Sequence, residues 1–374
     1  MHSAAIALAA LVYSGGNLRA DAGSFQLFPP ASSPSPLLSP DPEEAYAIFD
    51  SPVLLAGWKR CEMRLDLRIP ESVLSLYSAE PPANPIVLTA RRPGLPGAWK
   101  SAATAFVMAT TIGYSAGNSV KEVPYQGTFH FTTEGFFGRN TYTGGVDKMA
   151  HFVDYTVAQR ALHYTYQRIG YDSSQSGWLA FGTALAAGLT TEIGDGTTIF
   201  GFSWEDLLMD GLGAGTATLL TRTGWNDTFG FRFGSISQEA TPACCVDNSN
   251  IGRDYSGEVY TADVKISGLA RRLRFDPGPA RFLLFSVTYG TNGYDTVAPQ
   301  LRQRLVGLEV GIHFSEILRS IGLPSEPVWG EVIYFFFDTI RIPFTAIGVR
   351  YDVNNHEWFG PTAGRTTFRV PASR

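Results

Sequence analysis

Four chemically able side chains, Asp147, Lys148, His151 and Tyr155, fall within the stretch TYTGGVDKMAHFVDYTVAQRALHYTYQ, residues 141–167. On a helix, Asp147, His151 and Asp154 follow an i, i+4, i+7 spacing, with Lys148 and Tyr155 one helical repeat apart beside them. One stripe thus carries acid, base, imidazole and phenol. Downstream, Glu192 and Asp195 close a second segment, and Asp206 and Asp210 stand at i, i+4 on a third, along a face otherwise made of Leu and Gly. If the three helices pack together, up to four carboxylates converge on Lys148 and His151.

Two chemistries suit that set. Burying an unpaired charge costs several kcal/mol, so a Lys148–carboxylate network with His151 would fix the register of the helices. Alternatively, His151, tuned by Asp147 or Glu192 and with Asp206 nearby, would titrate near neutrality as a general acid or base. A metal site built from His151, Glu192, Asp195 and Asp206 has weaker support, because there is no HExxH, no paired-His spacing and no EF-hand loop. His163 lies twelve residues from His151, too far along a helix for simple shared ligation. No metal and no cofactor are therefore expected.

Other signatures are absent: there is no GxSxG elbow, no P-loop, and no GxGxxG followed by an acidic residue at a ribose spacing. Ser203, in GFSWED, precedes an apolar-periodic segment with Asp206 three residues on, which reads as a helix N-cap rather than a nucleophile.

The elements that must position these residues follow from periodicity and breakers. Four helices are expected at about 99–118, 147–169, 176–193 and 204–222. The third, SGWLAFGTALAAGLTTE, is rich in Ala, Gly and Thr, which lets neighbouring backbones approach closely in a dense bundle or in lipid. None reaches the roughly 18–20 uninterrupted apolar residues of a membrane span. After about residue 250 the period drops to two. In RLVGLEVGIHF, Val306, Leu308, Val310, Ile312 and Phe314 face one way, and Gly307, Glu309, Gly311 and His313 the other, the pattern of a half-buried strand. GEVYTADVKIS, RFLLFSVTYG and FTAIGVRYDV read alike. The fold class expected is α+β: a small-residue bundle of about four helices followed by an antiparallel sheet or partial barrel.

Residues 1–22, with an apolar run from Ala4 to Tyr13 and Ala-Asp-Ala at 20–22, have the form of a signal peptide. Residues 23–42 are Pro/Ser-rich and read as a linker, 43–97 as an irregular lead-in, 98–222 as the helical domain and 250–374 as the β region. Only 17% of the 374 residues are charged, against 39 Gly, 25 Phe and 16 Tyr, a mix that suits close-packed helices and aromatic strands, with lipid as a neighbour. The net charge of -5 and the lack of a basic stripe argue against nucleic acid. The basic cluster Arg271, Arg272 and Arg274 suits a solvated turn better than a lipid headgroup. Cys61, Cys244 and Cys245 make no metal-finger spacing, and a bridge from Cys61 to either neighbour is allowed only in an oxidising compartment.

FFGRNTYTGGVDKMAHFVDY, then TEIGDGTTIFGFSWEDLLMDGLGAG, resembles the YfiM-like family, domain of unknown function 2279, over about residues 130–222. The fragment DKxxHF is also shared with VanZ-like membrane proteins. The resemblance implies a Gram-negative envelope location, periplasm or outer membrane, and puts shared polar positions on Asp147, Lys148, His151, Glu192, Asp195, Ser203 and Asp206. It carries no established reaction. Asp210 departs from the pattern, which has Asn there, and no lipobox Cys follows the signal-like segment. The function expected is that of an envelope protein whose polar cluster is structural or binds a lipid or other ligand at the outer membrane, its partner a membrane lipid or another envelope component. The runner-up is an enzyme modifying envelope lipid or glycan through His151 and a carboxylate.

Overall fold

A computed structural model describes residues 95–121, 127–235, 258–294 and 302–362. The signal-like segment, the linker, most of the lead-in and all three cysteines lie outside the described residues.

Among the described residues four long helices come first: α1 (Gly97–Lys121), α2 (Val146–Ile169), α3 (Ser173–Asp195) and α4 (Trp204–Thr223). The strands β1 (Phe131–Thr132) and β2 (Phe202–Ser203) pair in parallel and tie the approach to α2 to the start of α4. Each helix agrees with its sequence period to within a few residues. Asp172 caps α3 through Gln175, and Gly170 ends α2 in the left-handed conformation that favours glycine.

The central helix is α2. It is buried on every side, polar residues such as Lys148, Gln159 and His163 included, so it has almost no amphipathic character of its own. Its neighbours approach closely because they present small residues. Ala180, Ala184 and Ala187 of α3 and Ala214 of α4 join Tyr155, Leu162 and Tyr166 in one core, with Val107 of α1. A Cβ at Gly213 of α4 would lie 2.1 Å from the Phe152 carbonyl oxygen, so that crossing requires glycine.

The second layer is a six-stranded antiparallel sheet in sequence order: β3 (Phe229–Ser235), β4 (Glu258–Lys265), β5 (Leu283–Asn292), β6 (Gln303–Ile312), β7 (Ala346–Asp352) and β8 (Glu357–Thr362). The α+β class is as expected. Three further helices occur within the β half: α5 (Ile266–Leu273), α6 (Phe314–Ser320) and α7 (Val328–Thr339). α7, VWGEVIYFFFDT, is rich in β-branched and aromatic residues and carries little local helix signal. A second core joins Val146, Ala150, Val153 and Val157 of α2 to Tyr260 and Phe335, with Phe231, Phe233 and Tyr289 around it. Through it α2 covers one end of the sheet.

Over the rest of the sheet the alternation is inverted. The apolar row of β6 faces outward, with Leu308 64% exposed, while the intervening Glu309 is 4% exposed and Gly307 and Gly311 are buried. The register extends both rows across the sheet. Val287, Leu308 and Val349 are successive partners in the outward row, and Thr288, Gly307 and Arg350 in the inward one. The inward face is charged and paired: Arg232 grips Asp263 at 2.5 and 3.1 Å, Ser286 donates to the same carboxylate at 2.6 Å, and Glu309 receives both Arg341 (2.8 Å) and Arg350 (2.9 Å).

The basic turn is engaged locally. Arg272 pairs with Asp227 at 3.0 Å and lies over the Trp225 ring, and Arg271 stands 3.7 Å from both Asp227 and Glu316.

Candidate functional site

The site begins with two glycines. Gly144 and Gly145 both have positive φ, 70° and 88°, and a Cβ on them would strike the Tyr294 ring and the Phe136 carbonyl oxygen, each at 2.5 Å. Tyr289 donates to the Gly144 carbonyl at 2.5 Å. The pair thus turns the chain sharply into α2 and sets Asp147 and Lys148 in its first turn, facing the junction of α4 with the β1–β2 ribbon.

Lys148 is fully buried and its ammonium donates to three carboxylates: Glu134, Asp147 at 3.0 Å and Asp206 at 2.5 Å. Burial opposes the charged ammonium, but Asp147, Asp206 and Glu134 outweigh it and hold its pKa above the ordinary lysine value. Glu134 is pushed up to about 7, first by burial and then by Asp206 and Asp147, with Lys148 opposing.

His151 lies one turn further along α2. Its Nδ1 is 2.8 Å from Asp210 Oδ1, and its Nε2 points between Asp147 (3.9 Å) and Asp206 (3.8 Å). Desolvation disfavours the imidazolium, yet Asp206 and Asp210 raise its pKa well above the usual histidine value, which corrects the expectation of titration near neutrality. Its side chain keeps 20% of its surface exposed.

Of the carboxylates beyond His151, Glu192 and Asp210 are fully buried and Asp195 is half-buried. Burial raises Glu192 to about 9, against His151 and with Asp206 and Asp210, and raises Asp195 to about 7 and Asp210 to about 6. Glu192 Oε2 accepts from the Ser203 backbone N–H at 3.0 Å. Tyr155 is buried close to Asp210 and Glu192, and burial raises its phenol above the ordinary range.

Ser203 is the N-cap of α4, its Oγ accepting from the Asp206 N–H at 3.2 Å. The Asp206 carboxylate turns to Lys148 instead of returning to the cap. The structure therefore brings together Asp147, Lys148, His151, Asp206 and Asp210. It sets Glu192, Asp195 and Tyr155 just behind them and gives Ser203 a capping role. Glu192 does not reach Lys148 by a direct hydrogen bond; it bonds the cap of α4.

Two participants have no periodic signal. Glu134, fourteen residues before Lys148, lies in TTEGFFGRN, and Glu205 accepts from the Gly135 N–H at 3.1 Å and from Ser203 Oγ at 3.4 Å. Their only local mark is an acidic residue in a Gly-rich turn and another in a helical first turn.

This geometry lies in a segment that matches a family model. Residues 133–222 match the family DUF2279. The family is described as a predicted periplasmic lipoprotein, and the matched residues run from the turn carrying Glu134 to the end of α4. The resemblance read from the GG-x-DK-x-x-HF helix is borne out. The expected place in the periplasm or outer membrane agrees with that description, and none of the described helices is long and apolar enough to cross a membrane. No curated protein and no solved structure matches the chain.

Proposed function

We propose that this is an envelope protein that seats its outward apolar surface in lipid and uses the Lys148 cluster to lock its helices together. The observation that carries the reading is the inverted sheet. Phe285, Val287, Leu308 and Ile347 are all more than half exposed, while Ser286, Thr288, Glu309 and Arg350 between them are buried. Strands that face lipid alternate in this sense, apolar outward and polar inward, whereas a sheet half-covered in water does the reverse. The bundle continues the same theme. Leu189 and Ile193 of α3 and Leu208, Leu212 and Leu219 of α4 are exposed, as are Trp99, Trp178, Trp204 and Trp358. Indole rings favour the boundary between headgroups and acyl chains.

In this reading the buried cluster is structural. Three helices supply charged groups that find their partners only in one register, and Lys148 is the tie between α2, α4 and the β1–β2 approach.

A second reading, an enzyme that modifies envelope lipid or glycan with His151 as general acid or base, draws on one observation. His151 is partly exposed, and its Nε2 stands beyond hydrogen-bond range of both Asp147 and Asp206, leaving that edge of the ring free to meet a substrate. His151→Gln would then abolish the turnover of an envelope lipid while leaving membrane binding intact.

Flotation of the purified chain with phosphatidylethanolamine/phosphatidylglycerol vesicles tests the lipid reading. The expected result is co-flotation that survives 1 M salt, on the order of ten times the concentration that screens surface charge. Leu308→Arg, charging the middle of the outward face, should weaken binding by about 2–4 kcal/mol, the cost of a basic side chain at the bilayer midplane. A chain that stays with the buffer fraction, or whose outward face is covered by residues 1–94 or by a second copy, would overturn it.

A further inference from the structure

The polar cluster holds more negative than positive groups, and the surplus is concentrated at one place. Lys148 is engaged by Glu134, Asp147 and Asp206, while Asp210 and Glu192 lie on the other side of His151. Each of these last two uses one oxygen: Asp210 Oδ1 meets His151 Nδ1 at 2.8 Å, and Glu192 Oε2 takes the Ser203 N–H. Their other oxygens, Asp210 Oδ2 and Glu192 Oε1, are buried and have no hydrogen-bond partner among the described residues, on side chains from residues 0% and 1% exposed. Buried carboxylate oxygens are almost always satisfied by a donor or an ion.

The backbone makes room for the Asp210 carboxylate. A Cβ at Gly188, one turn before Glu192 on α3, would lie 2.5 Å from Asp210 Oδ2, so any other residue there would displace the carboxylate. His151 comes from α2, Glu192 from α3 and Asp210 from α4, and one ligand atom from each lies within 4.8 Å of the other two. Two donors on one ion at bonds of about 2.0–2.2 Å stand at most about 4.4 Å apart, so a small movement of these side chains closes the set around a single ion.

We propose that His151, Glu192 and Asp210 bind one divalent first-row metal ion that accepts mixed nitrogen and oxygen ligands, with Zn2+ and Mn2+ as its representatives. One imidazole with two carboxylates favours such ions over Mg2+ and Ca2+, which take all-oxygen shells. Three protein ligands leave a coordination position open. His151 is the ligand with solvent contact, so the open position lies on its side, where water or a ligand oxygen can enter. The ion supplies the positive charge that the two orphaned oxygens lack, and it ties together the three helices that Lys148 ties only in part. This inference is independent of lipid seating, since vesicles play no part in its test.

The full chain, dialysed against a chelator and then against chelator-free buffer, is titrated calorimetrically with ZnCl2, MnCl2 and MgCl2, and its metal content and melting temperature are measured. The expected result is one Zn2+ or Mn2+ per chain, a raised melting temperature with that ion, and no saturable heat with Mg2+. Glu192→Gln and His151→Ala should each weaken binding at least tenfold. His163→Phe, on the same helix but outside the site, should leave affinity unchanged, and its melting reports whether a substitution in α2 disturbs the fold. Absence of stoichiometric binding in the wild type would overturn the proposal. So would equal affinity in Glu192→Gln, or a Glu192→Gln chain that melts higher without metal while the wild type binds none, which would mean that the surplus carboxyls are held protonated.

Discussion

Replacing Lys148 by Met keeps the length of the side chain and removes its charge. Lys148 is fully sealed and donates to Glu134, Asp147 and Asp206, so the variant leaves three buried or nearly buried carboxylates facing one another. Breaking a buried ion pair by deleting one partner costs about 3–5 kcal/mol, and here one deletion strips three acceptors at once. At roughly 2–4 °C per kcal/mol for a large domain, the melting temperature should fall by about 6–20 °C. The loss should also depend on pH. Glu134 already titrates near 7, above its ordinary value, so in the fold it prefers the proton, and its charged form becomes a burden as pH rises through that range. Without Lys148 that burden grows, and the deficit should be larger at pH 8 than at pH 6. Adding Glu134→Gln should recover part of it by removing one of the abandoned charges. Thermal unfolding of the wild type, Lys148→Met and the double variant at both pH values decides the matter. A Lys148→Met chain that melts normally would mean that water solvates the carboxylates, and the sealed network would have to be given up.

Gly213→Ala should lower stability by about 1–3 kcal/mol, because its Cβ would sit 2.1 Å from the Phe152 carbonyl oxygen and force α2 and α4 apart; an unchanged urea midpoint would refute that close crossing. Burial pushes the His163 imidazole down to about 4, with an opposing contribution from the Ser176 backbone. The folded chain therefore resists a proton that the unfolded chain takes up near 6.5, and stability falls as pH drops from that value towards 4, by on the order of 2 kcal/mol at pH 5. His163→Phe should lose less stability than the wild type between pH 7 and pH 5 in urea titrations, and parallel losses would show that the imidazole is already solvated.

Much of the framework is local and was therefore legible in the residues. α2, α3 and α4 are delimited by Gly-Gly at 144–145, Gly170, Asp172, Ser203 and Gly224, each of which starts or stops a helix by its own backbone or capping chemistry. The stripe of Asp147, Lys148 and His151 is likewise a property of one helix, and the i, i+4 pair Asp206 and Asp210 of another. What a period of two cannot say is which of its two faces will be covered. In β6 the alternation of Val306, Leu308 and Val310 with Gly307, Glu309 and Gly311 was plain, but its sense was decided by Arg341 and Arg350, more than thirty residues away, which reach Glu309 on the inward side. Glu134 entered the cluster in the same way. It sits in a turn without period, and it meets Lys148 because Gly135 and Gly138 fold that turn back against the start of α4, where Glu205 holds the Gly135 N–H. Helices and caps are written in neighbouring residues, whereas buried charge is settled by partners that only the packing of distant segments brings within reach, since a single charge cannot be buried until its counter-charge arrives.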